Sequence, residues 1–231
     1  MTPWTLLDTA QVPGQHGAAS ALRLYRRGEE FSIKAGNCEL MNSRVHGSED
    51  ALAELGCGRI AGRARARVLI GGLGMGYTLA AALQQLSNDA DVVVAELVPA
   101  VVVWNRGALA HLAGQPLSDT RVTVREQDVG EVMRAASNAF DAILLDVDNG
   151  PEGLTRKAND WLYGLDGLDA AYAALRPGGV LAVWSAGAEP VFTQRLHKIG
   201  FAVEEVRVRA HGGKQGARHM VWLASRPDLR F

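Results

Sequence analysis

A doubly wound α/β sheet with a small N-terminal β appendage is the fold the sequence predicts, and three observations carry that prediction. From Arg67 onward short β-rich runs alternate with helical patterns, the order that builds a mostly parallel sheet with helices on its faces. Those runs are apolar enough to be buried on both sides, as the strands of such a sheet are. The chain then closes with strand patterns at 202–209 and 219–224, joined by a Gly-rich loop instead of a helix, so the last strand is expected antiparallel to its neighbour.

In chain order, residues 1–62 read as a small β-hairpin region. Runs at 22–25 and 30–34 flank Arg26-Arg27-Gly28-Glu29, and Ser48 can cap a short helix over 48–55. Residues 63–231 form the α/β domain, with Arg63, Arg65 and Arg67 as a solvated lead-in. Its strands are expected over 68–71, 91–96, 121–125, 142–146 and 180–184. Its helices are expected over 77–86, 99–112, 129–137, 161–175 and 189–199. With the closing pair this gives a seven-stranded sheet.

The 231 residues carry 24 basic and 25 acidic side chains, a net charge of −1, so no global field would hold a polyanion or an anionic membrane. Nucleic acid is therefore not an expected partner. Cys38 and Cys57 are too few for a disulfide framework or a thiolate zinc site, which suits a reduced, cytoplasmic setting. Met1-Thr2-Pro3-Trp4 has no basic stretch followed by an apolar core, so no secretory signal is expected. The longest apolar run, 92–104, is interrupted by Glu96 and Pro99 and falls short of the ~20 residues of a membrane span. The 26 glycines exceed the roughly 16 that average usage would give, and their positions direct attention to one turn.

That turn follows the first strand of the α/β domain. Gly71-Gly72-Leu73-Gly74-Met75-Gly76-Tyr77-Thr78 places Gly72, Gly74 and Gly76 between a buried strand and a helix, where main-chain N–H groups can approach a ligand. The spacing is G-x-G-x-G, not the G-x-G-x-x-G of a dinucleotide fingerprint. Glu96 closes the second strand, where a carboxylate can accept from ribose hydroxyls. Asp128 follows the third strand and either orients an adenine amino group or caps the next helix. All three features fall at the carboxyl ends of successive strands, the ligand crevice of open α/β sheets.

These motifs resemble those of class I S-adenosylmethionine-dependent transferases over Arg67 to Phe231, and within them the spermidine synthases. The glycine segment before Thr78, Ala95-Glu96-Leu97-Val98-Pro99-Ala100-Val101-Val102, and the strand Phe140-Asp141-Ala142-Ile143-Leu144-Leu145-Asp146 with Gly150-Pro151 carry the likeness. The resemblance implies a class I methyltransferase-like sheet, an S-adenosylmethionine or decarboxylated S-adenosylmethionine site at Gly72, Gly74, Gly76, Glu96 and Asp128, and a small β domain before it. Two departures bear on the acceptor. Asp146-Val147-Asp148-Asn149-Gly150-Pro151 is shorter than the family's D-S/T-x-D-P segment and lacks a secure counterpart of its second aspartate. The tyrosine of the family's Y-x-E segment aligns with Gly47.

Asp146 and Asp148 are the candidate catalytic residues, since a carboxylate at this strand mouth can take the proton of an attacking group or hold it in line with the sulfonium carbon. The same cluster offers oxygen ligands for Mg²⁺, but no third ligand is identifiable and no metal is assigned. Trp161 and Tyr163 end a polar loop that either covers the substrate or opens the next helix; His46 and Glu49 precede the core at a position that can face the cleft, with no catalytic role given to the histidine; and the basic loop 211–219 reads as a solvated turn. The first functional expectation is methyl transfer to a small-molecule acceptor, which needs positioning more than side-chain chemistry. The alternative is aminopropyl transfer from decarboxylated S-adenosylmethionine. A third is a non-catalytic nucleoside-binding module, and a homodimer is compatible with each.

Overall fold

The computed structural model describes residues 2–13, 21–147, 159–209 and 218–228. Four antiparallel strands come first: β1 (Thr5–Gln11), β2 (Ala21–Arg27), β3 (Glu30–Ala35) and β4 (Cys38–Asn42), paired in that order. Helix α1 (Gly47–Gly58) leads into the larger layer: β5 (Arg67–Gly71), α2 (Tyr77–Gln85), β6 (Asp91–Ala95), α3 (Pro99–Arg106), β7 (Val122–Arg125), α4 (Val129–Arg134) and β8 (Phe140–Leu145). After these come α5 (Asn159–Leu162), α6 (Leu165–Ala174), β9 (Leu175–Ser185), α7 (Pro190–Ile199), β10 (Ala202–Arg209) and β11 (Arg218–Ser225).

The large sheet has seven strands in the order β10-β11-β9-β8-β5-β6-β7. β11 runs antiparallel to both β9 and β10, and the other neighbouring pairs are parallel. This is the predicted architecture. The chain moves outward from β5 through β6 to β7 and then returns to β8, so the order reverses between β5 and β8. Loops leaving a sheet at such a reversal diverge to opposite faces and open a crevice.

Side chains of period two divide the core into two layers. Val68, Ile70, Val94, Leu144 and Ala182 face Leu52 of α1, Leu79 of α2 and Val102 of α3. Leu69, Val93, Ile143, Leu145 and Val183 face Met133 of α4, Leu168 of α6 and Phe192 of α7. Helix α1 lies close on β8 and β9 because Gly56 has no Cβ, which would stand 2.4 Å from Leu144 Cδ2 and 3.2 Å from Ala182 Cβ. Residues 1–62 are thus split in role, their strands forming the small sheet and their helix joining the layer over the large one.

Several local expectations are revised. The appendage is a four-stranded sheet instead of a hairpin: β1 is exposed along nearly its whole length and β4 is at best half-buried, so neither has the alternating burial that betrays a strand. The helix expected over 99–112 stops at Arg106, before Gly107. The helix expected over 161–175 is broken into α5 and α6 by Gly164, whose extended backbone (φ −77°, ψ 172°) starts α6 anew. Arg63 is no solvated lead-in, since its guanidinium binds Asp141 at 2.8 Å and the Gly178 carbonyl at 2.6 Å. No helix among the described residues is long and apolar enough to cross a membrane.

Candidate active site

The glycine loop lies at the sheet reversal, and its three candidate glycines all have left-handed backbones: φ is +84° at Gly72, +54° at Gly74 and +86° at Gly76, the residue that caps α2. Gly72 is the most constrained, because a Cβ there would stand 2.6 Å from the Asp146 carbonyl oxygen. Above Gly74 lies Met41 of β4, with its methyl 2.7 Å from the place a Cβ would occupy. The small sheet therefore roofs the loop. It is tied down by the Trp104 indole N–H donating to Asp8 at 2.7 Å and the Tyr77 hydroxyl donating to the Ser43 carbonyl at 3.2 Å.

Glu96 is buried directly after β6 and accepts the Leu73 N–H on one oxygen and the Val98 N–H on the other, both at 2.8 Å. It holds the glycine loop against the end of β6. Asp128 caps α4 by accepting the Gly130 N–H at 2.7 Å, and it also faces the cavity beneath the loop. The two readings of Asp128 are thus compatible.

Asp146 leaves β8 at the reversal, its N–H bonded to the Gly71 carbonyl at 3.0 Å and its carboxyl accepting the Thr78 hydroxyl at 2.6 Å. Burial, reinforced by the nearby Glu49 carboxylate and opposed by the Thr78 hydrogen bond, pushes its pKa up to about 7. Asp148, the second candidate catalytic residue, lies outside the described residues, as do Asn149 to Pro151 and residues 211–217 of the basic loop.

Glu49 faces the cleft, as its place before the core allowed, although no role for it could be read from the sequence. It occupies the first turn of α1 and continues the buried stripe of Leu52, Ala53, Gly56 and Cys57, so close packing of the helix through Gly56 carries it to the strand ends. Burial raises its pKa. A carboxylate placed three, four, seven and eight residues before an apolar stripe is the signal that could have found it. His46 does not line the cavity; its ring stacks on Tyr77 at 4.1 Å and its Nδ1 lies 2.7 Å from Asp50.

Together these groups surround one cavity of about 350 Å³. Glu96 and Asp128 stand at one end, Asp146 and Glu49 in the middle, and Trp184 and His219 line the wall from β9 and β11. Trp161 also lines it, while its ring lies under the Arg134 guanidinium at 4.2 Å. Tyr163, by contrast, is buried and donates to the Val147 carbonyl at 3.1 Å, a packing role. Among the described lining residues are four carboxylates and no lysine or arginine. No group of three His, Cys, Asp or Glu side chains among the described residues is arranged as metal ligands.

Comparison with solved structures places this fold in a known setting. The spermidine synthase from Thermotoga maritima superposes with a TM-score of 0.74 at 17% identity, covering 96% of this chain and 73% of that one. A spermidine synthase in complex with the transition-state analogue AdoDATO gives 0.73 at 17% identity, with the same coverage. The precorrin-6y C5,15-methyltransferase from Geobacter metallireducens is more distant, at 0.54 and 15% identity over 74% of this chain and 86% of that one. At these identities the structural likeness speaks to fold. No curated protein sequence matches the chain significantly. Residues 52–199, from within α1 to the end of α7, match the spermine/spermidine synthase domain, and the protein belongs to that family.

Proposed function

We propose that the protein transfers an aminopropyl group from decarboxylated S-adenosylmethionine to a small amine. The observation that supports this best is the pairing of Asp146, with its pKa raised to about 7, and Glu49 in the middle of a carboxylate-lined cavity. An amine acceptor arrives as an ammonium ion and must lose a proton before its lone pair can attack. A carboxylate that titrates near neutral pH is poised to take that proton, which an ordinary aspartate would hold poorly. A cavity with four carboxylates also suits a donor that has lost its own carboxylate, since a retained one would face like charges.

In this reading Gly72, Gly74 and Gly76 bring the loop's main chain to the nucleoside, the Glu96 carboxylate accepts from the ribose hydroxyls, and Asp128 faces the adenine amino group. The donor supplies an electrophilic carbon next to a sulfonium. The amine nitrogen forms the new C–N bond, the C–S pair stays with sulfur as a neutral thioether, and Asp146 receives the amine's proton. Glu49 keeps the acceptor's positive charge near Asp146 through the approach.

Methyl transfer to an amine, the first expectation from the sequence, would use the same proton acceptor, and it is the family match that favours the aminopropyl alternative. The test is incubation with decarboxylated S-adenosylmethionine and a panel of short amines, following release of 5′-methylthioadenosine. Release that depends on the amine supports the proposal. Release of S-adenosylhomocysteine from S-adenosylmethionine with those acceptors, and none of the thioether from the decarboxylated donor, would reverse it.

A further inference from the structure

One wall of the cavity contains polar groups that the transfer chemistry leaves unused. The Trp184 indole Nε1 and the His219 Nδ1 are both buried, and neither has a hydrogen-bond partner among the described residues. Their rings meet edge to face at 4.9 Å, and both residues line the cavity that holds Asp146. Buried polar atoms are nearly always satisfied, so two orphans side by side on a cavity wall indicate a missing partner.

Strand register fixes where they stand. Leu145 pairs with Val183, which places Asp146 next to Trp184 across β8 and β9; Trp184 in turn pairs with Val221 of β11, two residues from His219. The pairing and the two-residue alternation put Asp146, Trp184 and His219 on one face at the same end of the sheet. Neighbouring strands are about 5 Å apart, so a group leaving Asp146 reaches Trp184 after one strand spacing and His219 after two.

Resting on the aminopropyl-transfer reading, we infer that the acceptor is a short amino alcohol, its amine at Asp146 and Glu49 and its hydroxyl held by Trp184 Nε1 and His219 Nδ1. The donor and acceptor arithmetic selects the hydroxyl. An indole N–H only donates, so the group opposite it must accept, which a second ammonium cannot do. Neutral imidazole can donate or accept, and burial lowers the His219 pKa, disfavouring its cationic form. A hydroxyl serves both partners at once. A carboxylate would accept from the indole but would carry its negative charge into a cavity already lined by Glu49 and Asp146. The span of one to two strand spacings, about 5–10 Å, corresponds to a chain of roughly three to seven carbons.

The inference is tested with four acceptors, 4-aminobutan-1-ol, butane-1,4-diamine, 4-aminobutanoate and pentan-1-amine, by measuring kcat/KM for 5′-methylthioadenosine release from decarboxylated S-adenosylmethionine. The amino alcohol is expected to exceed the diamine and the pentylamine by about 10-fold or more, since each rival leaves a buried donor unpaired. Trp184→Phe should lower the alcohol-to-diamine ratio by about 5- to 10-fold, and His219→Phe should lower it further, while calorimetry shows both variants still binding 5′-methylthioadenosine. A diamine used as well as the alcohol, or a ratio unmoved by Trp184→Phe, overturns the inference and leaves aminopropyl transfer standing. Preference for 4-aminobutanoate overturns the neutral-oxygen assignment. Turnover of none of the four, with the decarboxylated donor demonstrably bound, overturns the transfer reading and this inference with it.

Discussion

Replacing Asp146 by asparagine should stabilise the fold while removing its chemistry, and the two effects have opposite signs for one physical reason. The folded carboxyl has a pKa of about 7 against an ordinary 3.8 because its charge is buried beside Glu49. Between those values the folded state holds a proton that the unfolded chain has released, so raising the pH through that window lowers stability; below about pH 4 the group contributes nothing, and above about pH 7 the cost is complete. At ~1.4 kcal/mol per unit, the ceiling on that cost is ~4 kcal/mol. Asparagine keeps the shape and an oxygen for the Thr78 hydroxyl, which donates at 2.6 Å, but carries no charge. Thermal unfolding of ligand-free Asp146→Asn at pH 8 should therefore show a gain of ~1–4 kcal/mol, or roughly 2–16 °C in Tm for a chain of this size. The gain should vanish by pH 4, while turnover with the amine acceptor falls by ~10²–10⁴-fold. A Tm shift of equal size at pH 4 and pH 8, or a less stable variant at pH 8, would refute the buried-charge account.

Other perturbations test other parts of the site. Glu96→Ala should weaken 5′-methylthioadenosine binding by ~1.5–3 kcal/mol by calorimetry and also lower Tm, because the Leu73 and Val98 N–H groups lose their acceptor. Gly72→Ala should destabilise the protein by roughly 1–3 kcal/mol in denaturant unfolding, since it adds a Cβ at φ +84° only 2.6 Å from the Asp146 carbonyl oxygen. Gly56→Ala should cost ~1–3 kcal/mol by lifting α1 off Leu144, and by displacing Glu49 it should lower turnover more than donor affinity.

What the sequence made legible follows burial. The central strands of the large sheet showed themselves because both faces are covered and their apolar runs are uninterrupted, as in Val68-Leu69-Ile70 and Ala142-Ile143-Leu144-Leu145, whereas β7 and β10 are largely half-buried or exposed. The glycine loop, Glu96 and Asp146 were visible because backbone geometry and strand-end position demand particular residue types there. β1 and β4 were not, because a thin sheet exposed to solvent needs no hydrophobic alternation. Glu49 could be set near the cleft but given no role, because its meaning depends on a tertiary fact: Gly56, seven residues later, lets α1 approach the sheet closely enough to bring a helix-end acid beside Asp146. Trp184 and His219 read as ordinary strand residues, and only the register of β8, β9 and β11 places them on the same face as Asp146.

Side-by-side calorimetric titration of the wild-type protein with S-adenosylmethionine and decarboxylated S-adenosylmethionine asks whether this cavity is built for a cationic donor lacking its carboxylate. The carboxylates at Glu49, Glu96, Asp128 and Asp146 predict clearly tighter binding of the decarboxylated form, by ~1 kcal/mol or more, a margin that should narrow as salt is raised. Equal affinity, or tighter binding of S-adenosylmethionine itself, would contradict the account and return methyl transfer as the better reading of the site.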